Sequence, residues 1–169
     1  MLTTDSSMNE KTAEAIGWLR DNLNGKHVLV CFSGGKDSIC IEKLVGLAGI
    51  SYTLNTTLTG MDPPEVLQFI RREYPDCTYV RPRQSFWHLI TTANPPGGTG
   101  RGIKWCCTKI KENPSLTIPI ENRIVGIRAE ESWARKKYGR INNIKGNTHY
   151  YPIFHWNEAD VWEFIENDD

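Results

Sequence analysis

Ser33-Gly34-Gly35-Lys36-Asp37-Ser38 is the stretch of this 169-residue chain that decides its fold, because of what stands on either side. An apolar run, residues 27–32, precedes the stretch, and the helical pattern of residues 39–45 follows it. The order is therefore strand, glycine turn and helix. Adjacent glycines let a backbone turn tightly, and a helix start presents unpaired N–H groups and the positive end of its dipole. The stretch predicts a loop that holds a phosphate group.

The spacing of this loop argues against a Walker A phosphate-binding loop. That motif has four residues between its first glycine and its Gly-Lys pair, whereas Gly34, Gly35 and Lys36 are consecutive here. A P-loop kinase or GTPase is therefore not supported. A plain strand-to-helix turn is the alternative interpretation, but such a turn rarely needs two glycines, a lysine, an aspartate and two hydroxyls together.

Strand and helix patterns alternate along the chain. We predict helices at residues 8–24, 39–49, 63–72, 85–93 and 104–111, strands at 27–32, 50–54, 78–80 and 123–127, a hairpin at 140–151, and a final helix capped by Asn157. The glycine- and proline-rich residues 94–102 are predicted to be a mobile loop. This alternation predicts a single α/β domain over residues 1–169, with a doubly wound, mostly parallel sheet and helices on both faces.

Ligands of such sheets bind at the carboxyl ends of the strands. The loop at residues 33–38 follows the first predicted strand, Thr59 and Gly60 lie beyond the second, and Arg128 directly follows the fourth. These residues are therefore the candidates for one binding site.

Composition narrows the classes of partner and compartment. Twenty basic residues balance twenty acidic ones, so no overall charge steers the chain to nucleic acid or an anionic membrane. The basic residues between 135 and 145 are a local exception that could track a nucleic-acid backbone, or could form a solvated loop beside an anionic site. No stretch predicts a membrane span or a secretory signal, so we expect a cytoplasmic protein.

Some of the cysteines and tryptophans are assigned by default to the core. Five cysteines, an odd number, argue for reduced thiols, and Cys31 and Cys40 are predicted to be small core residues. Trp87, Trp156 and Trp162 stand at helical spacing and are also predicted to be buried.

The loop at residues 33–38 resembles the SGGxDS loop of the adenine-nucleotide alpha-hydrolase superfamily, which includes the N-type ATP pyrophosphatases and the phosphoadenylyl-sulfate (PAPS) reductases. Four further segments are similar to the PAPS reductases in the same order, so the resemblance covers most of the chain from about residue 27. They are residues 59–65, 105–111, 126–135 and 151–162.

The resemblance implies a nucleotide site built from these segments. Its nucleotide-binding candidates are Ser33, Gly34, Gly35, Lys36, Asp37, Ser38, Thr59, Gly60, Arg128, Ser132 and Arg135, and its catalytic candidates are Lys36, Asp37, Arg128, Cys106 and Cys107. The implied ligand is an adenine nucleotide: PAPS, its precursor adenylyl sulfate (APS), or ATP. No residue is assigned to a bound metal.

Each charged candidate also has a structural interpretation. Arg128 and Arg135 carry planar forks suited to phosphate or sulfate oxygens, with the Ser132 hydroxyl nearby, but each arginine could instead pair with Glu130 or Glu131. Asp37 could contact Mg²⁺ that bridges phosphates, or could cap the helix after the loop. Lys36 is either a point charge on the phosphate or a solvated side chain.

Cys106 and Cys107 form an adjacent pair near Lys109 and Lys111. Such a pair predicts thiolates of lowered pKa, or ligands of a metal or iron–sulfur cluster. Two ligands do not make a site, so the cluster is the less favoured interpretation. In the resembling reductases a C-terminal cysteine attacks the sulfur, and no cysteine follows Cys107 here, which leaves the source of the attacking thiol open.

Three functions follow from the resemblance. The leading one is a sulfur-metabolism enzyme that reduces PAPS or APS to sulfite, with a thioredoxin-like reductant. The second is an ATP pyrophosphatase that adenylates an acceptor for sulfur insertion, with a sulfur-donor protein, as in the similar DndC-type proteins of DNA phosphorothioation or in tRNA thiolation. The third is a nucleotide-binding subunit without activity of its own.

Overall fold

The computed structural model describes residues 4–92 and 105–167, and side chains from residue 7 onward. Its helices are α1 (Thr4–Leu23), α2 (Lys36–Ala48), α3 (Pro64–Glu73), α4 (Phe86–Thr92), α5 (Asn113–Ser115) and α6 (Glu158–Glu166), with a π-helical segment at Cys106–Glu112 and 3₁₀ turns at Ala129–Glu131 and Arg135–Lys137. Its strands are β1 (Val28–Cys31), β2 (Tyr52–Thr57), β3 (Thr78–Val80), β4 (Asn122–Ile124), β5 (Ile141–Ile144) and β6 (Asn147–Tyr150). The predicted mobile loop at residues 94–102 lies outside the described residues.

Within the described residues, six strands form one sheet in the order β3-β2-β1-β4-β6-β5. The pairs β2–β3, β1–β4 and β4–β6 are parallel, and the hairpin pair β5–β6 is antiparallel. The predicted mostly parallel α/β sheet is therefore confirmed. The chain builds outward from β1 to β3 and then returns to the other side of β1 with β4. The boundary between β1 and β4 is thus the topological switch point, where sheets of this type bind ligands.

The chain divides into two compact units, and the division falls within strand β2. One unit consists of Met1–Leu54 and Ile120–Asp169, and the other consists of Asn55–Pro119. The interpretation of residues 1–169 as a single domain stays a prediction.

In the unit formed by Met1–Leu54 and Ile120–Asp169, helices α1, α2 and α6 pack against one another. The helical periodicity places apolar side chains on one face of each helix. Fully buried members of this core include Ala15, Leu19, Leu23, Val28, Leu29, Val30, Ile41, Leu44, Ile153 and Val161. None of the described helices is long and apolar enough to cross a bilayer.

In the unit formed by Asn55–Pro119, an apolar cluster joins helix α4 to the π-helical segment. Leu89, Trp105 and Ile110 are buried in it, and Phe86 and Cys106 pack against them. Strands β2 and β3 are held together by side chains as well as backbone, because Asn55 Nδ2 donates to the Thr78 hydroxyl over 3.0 Å.

Two of the three tryptophans predicted to be core are exposed, which makes that prediction wrong for them. Trp156 is buried against Phe164, with ring centroids 5.5 Å apart. Trp87 and Trp162 keep 66% and 46% of their surface exposed. Helical spacing fixes which residues share a face, but only packing decides which face turns inward.

A row of polar side chains crosses one face of the sheet. Strand register pairs Arg123 of β4 with His149 of β6, and His149 with Asn142 of β5. Arg123 is completely buried, and within the described residues His149 Nε2 has no hydrogen-bond partner. Burial, together with the positive charge of Arg123, lowers the pKa of His149 to about 4.

Acidification should destabilise the fold through His149. In the unfolded chain this imidazole has its ordinary pKa of about 6.5. Between that value and about 4 the unfolded state binds a proton that the folded state does not, so stability falls as pH is lowered through this window. We expect urea unfolding at several pH values to show a steeper loss for the wild type than for His149→Asn. Equal slopes for the wild type and His149→Asn would contradict this assignment.

The predicted cap of the last helix is confirmed. Asn157 Oδ1 accepts from the Asp160 backbone N–H, and Asp160 Oδ2 accepts from the Asn157 N–H, each over 2.9 Å. Lys11 Nζ also lies 2.6 Å from Asp160 Oδ1, which ties helix α1 to this cap.

We expect Asn157→Ala to lower the free energy of unfolding by about 1 kcal/mol, because one helix N–H loses its acceptor. Chemical denaturation measures the change. Asn24→Ala, at an exposed asparagine just after helix α1, should change stability by far less. A similar loss in both variants would argue against a capping contribution.

Candidate functional site

The loop after strand β1 is shaped by its glycines and serines. Gly34 has a φ of +73°, a conformation that favours glycine, and Gly35 is the N-cap of helix α2. The Ser38 hydroxyl donates to the Gly35 carbonyl over 2.7 Å and accepts from the Ser33 backbone N–H over 3.2 Å. Both serines are therefore used to hold the loop closed on itself.

The start of helix α2 offers backbone donors to a ligand. The N–H groups of Ser38 and Ile39 bond to the Gly35 carbonyl, whereas helix geometry gives those of Lys36 and Asp37 no partner within the helix. Glycine at the N-cap has no side chain to accept from them. This is the arrangement that binds anions at helix N-termini.

Gly35 leaves space that the protein itself does not need. Its φ of −86° is open to any residue, and among the described residues an added Cβ would meet only the Ser33 hydroxyl, at an ordinary 3.5 Å. Neither backbone strain nor packing therefore requires glycine here. Space for a ligand above the loop is a sufficient reason for it.

Arg128 joins this loop from the segment after strand β4. Its Nε donates to Asp37 Oδ1 over 2.7 Å, and its Nη1 donates to Glu130. Its side chain is only 5% exposed. Burial by itself lowers the pKa of Arg128, but the adjacent carboxylates of Asp37 and Glu130 outweigh it and raise the pKa overall, so the guanidinium stays charged.

Arg128 thus combines the two interpretations drawn from the sequence. It lies beside the loop, as a ligand-binding arginine would, and it also forms the ion pair with Glu130 that was the alternative. Because two of its donor groups already hold carboxylates, the geometry makes Arg128 foremost a positioning residue for Asp37.

Gly126 was not among the predicted site residues, although it fixes how the two segments meet. A Cβ on Gly126 would lie 3.0 Å from the Asp37 carbonyl oxygen and 3.1 Å from its Cβ. Strand β4 also ends at Ile124, three residues earlier than predicted, although the Val125 N–H still bonds to the Tyr150 carbonyl. The signal was present in the sequence, because a lone glycine in an apolar strand pattern indicates close backbone approach.

Lys36 and Asp37 are partly exposed and lie among several charges. Lys36 Nζ is 3.5 Å from Asp37 Oδ2 and 3.3 Å from Glu158 Oε1. Glu158 comes from the first turn of helix α6 and was not among the predicted site residues. The prediction that Asp37 could cap helix α2 is wrong, because the N-cap is Gly35 and no side chain caps it. Asp37 instead forms an ion pair with Arg128, which neither alternative included.

Ser132 and Arg135 stand on the turns that follow Arg128. Arg135 pairs with Glu131, and the Arg135 backbone N–H donates to the Ser132 hydroxyl over 3.2 Å. Glu131 also accepts from the Arg128 backbone N–H over 2.9 Å. Arg135 is therefore tied to the Arg128 segment through one carboxylate.

Thr59 and Gly60 belong to the other compact unit, the one formed by Asn55–Pro119. Asp62 Oδ2 accepts from the Thr59 backbone N–H over 2.8 Å and from its hydroxyl over 3.0 Å. Gly60 has a φ of +79°. Together they form a closed turn ahead of helix α3.

Cys106 and Cys107 lie in the same unit, in the π-helical segment Cys106–Glu112. Burial and the neighbouring Cys106 raise the pKa of the Cys107 thiol, so the predicted lowering of the pKa is wrong for Cys107. Elsewhere, burial raises the pKa of Cys31 to about 11 and also raises the pKa of Cys40. Among residues 4–92 and 105–167, no three His, Cys, Asp or Glu side chains group so as to hold a metal ion.

We expect Gly126→Ala to destabilise the protein by about 1–3 kcal/mol, because the added methyl group meets the Asp37 backbone. Gly46→Ala in helix α2 is the matched control. It meets no atom within 4 Å and should raise stability by about 0.5–1 kcal/mol. Urea unfolding of both variants tests the contrast, and a neutral Gly126→Ala would argue against tight packing here.

Two curated proteins are similar in sequence to this chain. The chain is 30% identical over 168 residues to Uncharacterized protein MJ0066 of Methanocaldococcus jannaschii, an alignment that covers 89% of the chain and 34% of the relative. It is 26% identical over 144 residues to Uncharacterized protein MJ0973 of the same organism, which covers 79% of the chain and 34% of the relative. The chain thus spans about a third of the length of these curated relatives.

A solved structure and a family model agree on the fold. The U34-tRNA thiolase NcsA from Methanococcus maripaludis, with its [4Fe-4S] cluster, superposes with a TM-score of 0.61 at 18% identity, covering 94% of this chain and 62% of that one. The model of the phosphoadenosine phosphosulfate reductase domain matches residues 27–169, a range that contains the loop, Gly126 and Arg128. The chain therefore belongs to the phosphoadenosine phosphosulfate reductase domain family.

Proposed function

We propose that this chain binds an adenine nucleotide through the phosphate groups of the nucleotide, at the loop of residues 33–38. We also propose that it is the nucleotide-binding part of an enzyme of sulfur metabolism. The observation that carries the proposal is the combination at the start of helix α2. There, first-turn N–H groups without helix partners, the unused space at Gly35 and the Lys36 ammonium all occur within three residues. Membership of the family supports the choice of an adenine nucleotide.

The chemistry that these residues supply is electrostatic. Backbone N–H groups and Lys36 would stabilise negative charge that grows on phosphate or sulfate oxygens as a bond breaks. Arg128 would act through Asp37, because it holds that carboxylate at 2.7 Å and keeps the first turn of helix α2 in place. Ser33 and Ser38 would maintain the loop rather than react.

Asp37 is the loop carboxylate that Mg²⁺ would contact. One of its oxygens accepts from Arg128 and the other lies 3.5 Å from Lys36. A metal would therefore have to share this carboxylate with two cationic side chains, while Mg²⁺ commonly takes its other ligands from phosphates and water. The dependence of nucleotide binding on Mg²⁺ therefore shows whether Asp37 contacts the metal or only pairs with Arg128.

Two reactions are candidates: cleavage of ATP between its α and β phosphates to adenylate an acceptor, and reduction of PAPS or APS. The pKa values of the thiols favour the first. Reduction of PAPS or APS needs a thiolate to attack sulfur. However, the pKa values of Cys31, Cys40, Cys77 and Cys107 are all raised. Adenylation requires no thiolate from this chain. A sulfur-donor protein would then displace the adenylate, chemistry that accords with a thiolase having the same fold.

Reduction is the second candidate, supported by the description of the family. It would use Cys106 or a thiol from a thioredoxin-like partner. An iron–sulfur cluster is not proposed, because the described residues bring no third ligand to Cys106 and Cys107. A nucleotide-binding subunit without its own turnover is the remaining alternative, and it differs from both by releasing neither pyrophosphate nor sulfite.

We expect Gly35→Asp to weaken nucleotide binding more than about tenfold, a loss of about 1.4 kcal/mol, because its carboxylate occupies the space above the loop and repels phosphate. Calorimetric titration with ATP and with PAPS, each with and without Mg²⁺, measures this. Gly17→Asp, which adds the same charge to helix α1 where no atom lies within 4 Å, is the control.

The pattern of titrations also separates the reactions. Binding of ATP that depends on Mg²⁺, with release of pyrophosphate, supports adenylation, whereas tight PAPS binding that ignores Mg²⁺ supports reduction. Binding of neither nucleotide by the wild type would contradict the proposed function.

A further inference from the structure

An exposed aromatic and basic surface follows the Arg128 segment. Trp133 keeps 72% of its surface exposed, and Tyr138 keeps 41%. Lys136 and Lys137 lie between them on a 3₁₀ turn. We refer to Trp133, Lys136, Lys137 and Tyr138 as the Trp133 surface. An indole this exposed contributes little to folding, so burial does not explain why position 133 is a tryptophan.

The charges on this surface are only partly compensated. Nearby Arg135 and Arg140 are paired with Glu131 and Glu14. Within the part of the chain that the structure describes, neither Lys136 nor Lys137 pairs with a carboxylate. Lys137 Nζ instead lies 3.9 Å from the centre of the Trp133 ring, a cation–π contact that steadies the indole at the surface. The protein as a whole has no net charge, so this excess of positive charge is local.

We propose that the Trp133 surface binds a single-stranded polynucleotide, the acceptor in the adenylation reaction proposed above; this inference therefore rests on that proposed function. A flat indole beside two ammonium groups matches a ligand in which planar bases alternate with phosphates. An acidic protein segment would complement the lysines but would leave the Trp133 ring without a stacking partner. A double helix would hide its base faces from the ring.

The Trp133 surface is connected to the loop of residues 33–38. This connection supports binding of the acceptor strand there, rather than of a ligand that takes no part in the reaction. Glu131 accepts from the Arg128 backbone N–H and also pairs with Arg135, two residues after Trp133. Arg128 in turn holds Asp37 in the loop. A strand seated on the Trp133 surface would therefore lie on the segment that positions the loop.

The test is fluorescence anisotropy of labelled 12-residue oligouridylate and oligothymidylate with the 169-residue chain, between about 50 and 200 mM salt. We expect Trp133→Ala to weaken binding about tenfold at every salt concentration, since it removes a stacking partner. We expect Lys136→Gln to make the slope of log K against log salt shallower by about 0.7, since one phosphate contact is lost.

Matched variants separate these effects from changes in folding or overall charge. Trp162→Ala removes another exposed tryptophan, and Lys26→Gln removes another exposed lysine. Both should bind like the wild type. Trp133→Phe should restore part of the affinity, because phenylalanine still stacks. Preference for oligouridylate or for oligothymidylate identifies the acceptor as RNA or DNA, and either result supports the inference.

Three outcomes would overturn the inference. They are no binding of either oligonucleotide, binding that Trp133→Ala does not weaken, and binding of a duplex or of polyglutamate as tightly as of single strands. Nucleotide titration distinguishes this failure from failure of the proposed function. ATP should bind Trp133→Ala as it binds the wild type, and Gly35→Asp should lose ATP while retaining the oligonucleotide.

Discussion

The ion pair between Arg128 and Asp37 is the interaction on which the candidate site depends. It joins residues 91 positions apart and is made by a guanidinium that is almost fully buried. A charge so placed is tolerated only when carboxylates and hydrogen bonds compensate for lost hydration, and Asp37 and Glu130 supply both. The pair links the loop after β1 to the segment after β4, across the switch point of the sheet.

The other features of the site follow from this link. Gly126 lets the β4 segment lie close to the Asp37 backbone, because a Cβ at position 126 would stand only 3.0 Å from the Asp37 carbonyl oxygen. Asp37 is held at the first turn of helix α2, so the N–H groups beside it keep a fixed direction. Glu131 accepts from the Arg128 backbone N–H and pairs with Arg135, so it also links Arg135 to the Arg128 segment. The loop proposed to bind phosphate, its supporting arginine and the proposed acceptor surface are thus linked by a chain of ion pairs and hydrogen bonds.

The thiols bear on the choice between the reactions that the family resemblance left open. Adjacent cysteines near lysines suggested reactive thiolates, but burial and the proximity of Cys106 raise the pKa of Cys107. The charge of Lys111 does lower the pKa of Cys107, but by less than burial and Cys106 raise it. The balance among these terms depends on how the π-helical segment packs, which the sequence does not specify.

The sequence by itself determined the strand, glycine turn and helix at residues 28–48, the hairpin of β5 and β6, and the cap at Asn157. In each case the determinants are local: a positive φ at Gly34, alternating periodicity, and a side chain that bonds three residues away. Only the tertiary structure decided that Arg128 engages Asp37, that Glu158 reaches Lys36, that His149 stands opposite Arg123, and that Trp87 and Trp162 face outward. These contacts depend on strand order, strand register and helix packing, which bring together residues that no short-range pattern connects.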